Sequence, residues 1–169
     1  MAHPNVVFMG VCGCGKSTVA RRYAAGAGYV VVEADDFHPP ANVAKMRSGQ
    51  PLTDEDRAGW LAALAARISE GRARGETMVL TCSALKRAYR DRLRQADPDL
   101  FFVHLAGTRE LLAQRLGERQ GHFMPASLLD SQLAALEAPQ APAERCLTVD
   151  IAAAPEVLCA TVATFLRTF

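Results

Sequence analysis

Apolar residues fall along this chain in two alternating rhythms. Short continuous runs stand at Asn5–Met9, Tyr29–Glu33, Met78–Cys82, Leu100–Leu105 and Cys146–Asp150. Each is four to six residues long or close to it, rich in Val, Leu or Phe, and bounded by polar or Gly-containing turns, the signature of a buried strand. Between them the spacing widens to three or four. Trp60, Leu61, Leu64 and Ile68 form one stripe, Leu85, Tyr89 and Leu93 another, and Leu158, Val162, Phe165 and Phe169 a third. Such spacing places one face of a helix on a core.

Start and stop signals frame these helices. One runs from Ser17 to Ala25 and closes at the Gly26–Gly28 turn, and a short one spans Ala41–Ser48. Thr53 caps a long helix, with Asp54, Glu55 and Asp56 at its positive end. Ser83 is expected to cap the next helix, and Thr108 starts another that runs to about Arg119. A helical pattern resumes over Pro125–Leu136, the Pro- and Ala-rich stretch Glu137–Glu144 reads as a loop, and Pro155 opens the last helix. Strand and helix alternate throughout, so the sheet is expected to be parallel and covered on both faces, a three-layer α/β/α domain. There is no internal repeat or second domain in the pattern.

The first turn carries the strongest chemistry. Gly10-Val11-Cys12-Gly13-Cys14-Gly15-Lys16-Ser17 is G-x-x-x-x-G-K-S, set between a strand and a helix as a phosphate-binding loop requires. Three glycines let the backbone turn its N–H groups inward, and the helix start adds positive potential. Residues Gly10 to Thr18 are therefore expected to bind ATP. Lys16 would reach the β- and γ-phosphates, and Ser17 would place its hydroxyl on Mg²⁺.

Composition narrows the setting. The chain has 169 residues, half of them hydrophobic, with 19 basic and 18 acidic side chains and a net charge of +1. That suits one domain with a real core and offers no basic field for nucleic acid or membrane. Cys12, Cys14, Cys82, Cys146 and Cys159 are odd in number and scattered, unlike a disulfide framework. Cys12 and Cys14 lack a second ligand pair at zinc spacing. The start runs straight into the first strand without room for a signal peptide, and no apolar run reaches membrane-spanning length. A soluble cytoplasmic protein is expected.

Several charged residues sit where a triphosphate-using site could employ them. Glu33 and Asp35 are two apart at the end of the second strand and can point the same way. One of the two can hold Mg²⁺ through water, and the other can accept a proton from an attacking hydroxyl. Asp36 faces the other way. His38, beside these acids, suits a hydroxyl-binding role. The third strand ends in Cys82-Ser83 with no acid, which shifts the metal shell to Ser17 and the Glu33/Asp35 pair. Arg57 lies on the core-facing stripe of Leu61, Leu64 and Ile68, so it should meet an anion or line a cleft. Lys86 at a helix start and Arg90 one turn later crowd two cations on one face, an arrangement an anion would relieve. Arg115 and Arg119 precede the break at Gly121 and could close on a transferring phosphate. Bland alternatives exist for each: a polar capping loop, a snorkelling arginine, a solvated basic face, an Arg115–Glu118 surface pair.

Taken together these stretches resemble the gluconokinases, small phosphate-loop kinases related to the shikimate and adenylate kinases. The resemblance spans nearly the whole chain. It rests on the phosphate loop, Asp35-Asp36-Phe37-His38-Pro39, Asn42–Met46 with Gly49 and Pro51-Leu52, Asp54–Arg57 with Trp60-Leu61, Cys82–Lys86 with Tyr89-Arg90, and Arg115-Leu116 with Gly121-His122-Phe123. It implies ATP-dependent phosphorylation of D-gluconate at its 6-hydroxyl, a five-stranded sheet in the order 2-3-1-4-5, a helical lid over roughly 115–136, and often a homodimer. It also implies Asp35 as the base, and a substrate site drawn from Asp35, His38, Arg57, Lys86, Arg90 and His122. The chain departs from the family pattern at Cys12 and Cys14, where serines are usual, at Ala34 for a glycine, and at Glu33 for an aspartate. The phosphate loop alone leaves other acceptors open, such as shikimate or a nucleoside monophosphate, and also a nucleotide-driven switch.

Overall fold

The computed structural model describes residues 3–119 and 126–169. Five strands, β1 Val6–Met9, β2 Val30–Glu33, β3 Met78–Thr81, β4 Phe101–Ala106 and β5 Cys146–Asp150, form one sheet in the order β2-β3-β1-β4-β5. Every pairing is parallel, with Val7 of β1 opposite Leu80 of β3 and Phe102 of β4. The helices are α1 Lys16–Ala24, α2 Pro40–Arg47, α3 Asp54–Ala73, α4 Arg87–Ala96, α5 Arg109–Glu118, α6 Ala126–Ala135 and α7 Pro155–Leu166. The expected architecture and strand order are both present.

Alternation along β1 explains the layering. Val6 and Phe8 face a core that they share with Val19 and Ala20 of α1, Leu112 and Leu116 of α5, and Leu158 and Val162 of α7. Val7 and Met9 face the opposite core, with Trp60, Leu64 and Ile68 of α3 and Leu93 of α4. A strand buried on both faces reads as continuous apolar sequence, as β1 does. No described helix is long and apolar enough to cross a membrane.

Most caps follow the sequence. The Thr53 hydroxyl accepts from the Asp56 N–H while the Asp56 carboxylate accepts from the Thr53 N–H, a complete capping box. Such a cap contributes about 1 kcal/mol to helix stability. Thr108 caps α5 by accepting from the Leu111 N–H.

Two local expectations are corrected. Ser83 does not cap α4, which begins four residues later at Arg87 with Lys86 in the cap position. The intervening residues are held otherwise: the Ser83 carbonyl accepts from Gly10 N–H, the Ala84 carbonyl accepts from Arg90, and Ala84 adopts φ 45°. After Glu33 the chain does not stay extended but winds into a 3₁₀ turn over Ala34–Phe37. That turn ends the strand alternation that would have put Glu33 and Asp35 on one side.

Candidate active site

The phosphate loop joins the central strand β1 to α1. Gly10 has φ 149°, and a Cβ there would come within 2.8 Å of Cys14 Sγ and 2.9 Å of the Leu105 carbonyl. Gly13 has φ 84°, and a Cβ would lie 2.9 Å from Leu116 Cγ. Both positions thus need glycine for space as well as conformation. Lys16 folds back over the loop, with Nζ donating to the carbonyls of Gly10 (3.0 Å) and Val11 (3.2 Å). The first turn of α1 contains no acid to compete with a phosphate.

Below the helix start, the Ser17 hydroxyl donates to Glu33 Oε2 at 2.9 Å, and Thr81 at the end of β3 donates to the same oxygen at 2.6 Å. Glu33 Oε1 is buried and has no hydrogen bond among the described residues, although Arg21 Nη2 lies 3.2 Å away, off line. A carboxylate with one open oxygen beside a serine hydroxyl is a suitable donor set for a hard, hydrated Mg²⁺. Thr81, not an acid, occupies the end of β3, and the acid comes across from β2.

The loop opens onto a cavity of about 140 Å³. Cys12, Gly13, Gly15, Lys16 and Ser17 line it with Asp35, His38, Met46, Leu52, Arg57, Trp60, Ser83, Arg119 and Gln132. The 3₁₀ turn carries Asp35, whose side chain is 85% exposed, and leads to His38, whose side chain is 4% exposed. The His38 ring stacks on Trp60 with centroids 4.2 Å apart and 16° between planes. Trp60 is itself fixed by donating Nε1–H to the Ala34 carbonyl at 2.6 Å. Asn42 Nδ2 donates to the Asp56 carbonyl and also faces His38 Nδ1 at 3.3 Å. Nδ1 therefore accepts, which leaves the proton of the neutral ring on Nε2, 3.9 Å from Asp35 Oδ1. Burial lowers the His38 pKa; nearby Asp35 opposes that and Arg57 adds to it.

Arg57 is held for the cavity. Its Nη1 donates to the Leu52 carbonyl (3.0 Å) and to the Tyr89 hydroxyl (3.2 Å), and its guanidinium lies 5.4 Å from the Tyr89 ring centre. The Tyr89 hydroxyl in turn donates to Asp54, and Lys86 Nζ lies 3.1 Å from the same carboxylate oxygen. Hydrogen bonds from Tyr89 and then Lys86 hold the Asp54 pKa below its usual value.

Not every expected residue joins this cavity. Lys86 is engaged by Asp54 and does not line it. Arg90 is a correction: it is fully buried, and all five of its N–H groups are spent on Glu144 and on the carbonyls of Ala84, Leu85 and Glu137. The anion that relieves its crowding with Lys86 is internal to the protein. Arg119 reaches the cavity, whereas Arg115 donates to the Ile151 carbonyl at 2.6 Å. His122 lies outside the described residues. Of the expected lid range, α6 is packed on the body: Leu128 and Leu129 are buried, and Arg109 and Asp130 tie α5 to α6 at two points, 2.6 and 3.0 Å.

Four contributors escaped the sequence reading. Trp60 and Tyr89 read as stripe residues, yet each has a polar tip that orients a site group. Asn42 stood only within a stretch shared with the gluconokinases, with no role attached, and Gln132 gave no pattern at all. Gln132 Oε1 accepts from the Cys12 N–H at 2.7 Å, which places α6 against the phosphate loop.

A phosphate loop beside the central strand of an all-parallel sheet, facing acid and base groups across a cavity, defines a phosphate-loop nucleotide-binding domain. Residues 6–139 match the family model of the AAA domain. A gluconokinase of Gluconobacter oxydans is 55% identical over 134 residues, covering 79% of this chain and 75% of that protein. A gluconokinase structure from Sinorhizobium meliloti superposes with TM-score 0.88 at 44% identity, covering 98% and 92%. An unliganded sugar kinase structure from Janibacter does so with TM-score 0.93 at 47% identity, covering 98% and 95%. The chain belongs to the gluconokinase family.

Proposed function

We propose that this chain transfers the γ-phosphoryl group of ATP directly to the 6-hydroxyl of D-gluconate, giving 6-phospho-D-gluconate. One observation carries the reading. Asp35, His38 and Arg57 line the same cavity as Lys16 and Ser17, so base, hydroxyl binder and cationic anchor face the phosphate cradle together.

The roles follow from the chemistry of each group. The loop N–H groups and Lys16 hold the triphosphate, and Lys16 offsets charge that builds on the transferring oxygens. Lys16 must first leave the Gly10 and Val11 carbonyls, an exchange of neutral acceptors for anionic ones. Asp35 accepts the proton of the attacking hydroxyl, and its exposed carboxylate has room to do so. The Nε2–H of His38 donates to a substrate hydroxyl. Arg57, braced through Tyr89, meets the gluconate carboxylate. Arg119 supplies further positive charge near the transfer. Ser17 and Glu33 would hold Mg²⁺, Glu33 through water, and the ion screens the β- and γ-phosphate charges when bound. A cytoplasmic setting and a homodimer complete the reading, and sedimentation of the purified chain tests the latter.

The test is ADP release with gluconate, shikimate, a nucleoside monophosphate and water as acceptors. Gluconate should support turnover far above the others. Turnover with gluconate no faster than with water removes the assignment.

A further inference from the structure

The cavity beside the phosphate loop adjoins a smaller pocket of about 50 Å³. Four residues line both: Met46, Leu52, Arg57 and Gln132. Two of these are apolar, so an acceptor running from the phosphate cradle into the smaller pocket meets polar groups only at Arg57 and Gln132 where the two spaces join. Arg57 already has a part as the anchor of a carboxylate. Gln132 has none.

Its geometry is restrictive. A backbone N–H can only donate, so the atom of Gln132 that faces Cys12 N at 2.7 Å must be the carbonyl oxygen. The amide nitrogen, with two N–H groups, therefore faces away from the loop, and it meets no acceptor among the described residues. The backbone behind it is held as well. Leu129, three residues earlier, is fully buried, and Asp130 is paired with Arg109. An amide nitrogen held at a cavity junction, and not shut away from solvent there, can donate to an oxygen that enters the cavity.

We propose that Gln132 is an acceptor-binding residue: anchored through its oxygen to the Cys12 N–H, it presents its amide N–H groups to an oxygen of the polyhydroxy acid beside Arg57. The inference rests on the gluconate reading and names a contact that reading does not contain. It also ties acceptor binding to the phosphate loop through one side chain. The Cys12 N–H is spent on Gln132, which leaves the later amides of the loop for the triphosphate.

Two substitutions separate this role from simple bracing of α6. Gln132→Glu keeps an oxygen for Cys12 N–H but turns the donor into an anionic acceptor. Gln132→Leu removes both bonds at similar volume. Steady-state rates give KM for gluconate and for ATP, and thermal midpoints confirm folding. Gln132→Leu should raise the gluconate KM roughly tenfold, the loss of one or two neutral hydrogen bonds. Gln132→Glu should raise it further, roughly a hundredfold, with partial relief at high salt because the substrate is an anion. The ATP KM should stay within about twofold in both. A bracing role inverts the order, since Glu preserves the brace. A Gln132→Glu enzyme with the wild-type gluconate KM, or an ATP KM that rises in step, overturns the proposal while gluconate turnover by the wild type stands. Absence of gluconate turnover in the wild type overturns the substrate reading, and this contact with it.

Discussion

Arg90 and Glu144 meet in a two-point ion pair of 2.7 and 2.8 Å, with 1% and 4% of their side chains exposed. The pair joins α4 to the loop before β5, and the same guanidinium gathers the carbonyls of Ala84 and Glu137. Arg94 adds a bond to Glu144 at 3.0 Å. Burial alone would push the Glu144 pKa up, but the bonds from Arg90 and Arg94 overcome it and hold the carboxyl below its ordinary value.

Removing one partner should therefore cost stability rather than affinity. Arg90→Met leaves Glu144 buried with only Arg94, and such half-broken pairs cost about 3–5 kcal/mol. Urea unfolding should show that loss, while the gluconate KM of the remaining folded enzyme stays within about threefold. A tenfold rise in KM with unchanged stability would return Arg90 to the substrate site.

Acid should weaken the fold before the carboxylates titrate. Burial lowers the pKa of both His38 and His104, and Arg90 lowers His104 further. An unfolded histidine takes up its proton near pH 6.5, about the ordinary value, so below that point the unfolded chain binds more protons than the folded one. The stability these residues hold is complete above about pH 6.5 and drains as the pH falls toward their lowered values. Urea midpoints at about pH 7.5 and pH 5.5 should differ in that direction, and His104→Gln should reduce the difference. A midpoint that is flat or rises on acidification contradicts the burial account.

Glu33 should set the magnesium requirement. Glu33→Gln keeps the volume and the contacts to Ser17 and Thr81 but removes the charge. The Mg²⁺ concentration for half-maximal rate should rise roughly 10- to 100-fold, with a much smaller change in gluconate KM. An unchanged Mg²⁺ dependence assigns the metal elsewhere.

How much of this was written in the sequence differs by level. The strands were legible because both faces of β1 and β3 are buried, which leaves unbroken apolar runs. The phosphate loop was legible because backbone geometry there demands glycines at fixed spacing. The cavity wall was legible only in part. Asp35, His38 and Arg57 stood out as charges beside strand ends or on an apolar stripe. Arg90 stood out in the same way, yet its partner Glu144 lies 54 positions on in a loop that carries no periodic signal. Pairing across such a distance depends on how α4 and that loop pack, which local pattern does not encode. Gln132 was invisible for a related reason: one amide on a helix face acquires meaning only when the fold sets α6 beside Cys12. The 3₁₀ turn after Glu33 likewise sent two neighbouring acids to separate tasks.

Lys16→Ala and Asp35→Asn probe the two ends of the transfer. Lys16→Ala should lower kcat by roughly 10²- to 10³-fold through lost charge stabilisation. Asp35→Asn should lower kcat by roughly 10²- to 10⁴-fold while ATP binding, read by titration, changes by less than about threefold. Equal loss of rate and of ATP affinity in Asp35→Asn points to a structural acid instead.

The most direct measurement is the product itself. Purified chain, ATP, Mg²⁺ and D-gluconate are incubated together, and phosphorus NMR follows the mixture against a reaction without gluconate. A phosphomonoester on the terminal carbon of gluconate, formed one for one with ADP and far more slowly with Asp35→Asn, is the expected result. ADP that accumulates with inorganic phosphate alone, or a phosphoryl group on a different acceptor, contradicts it.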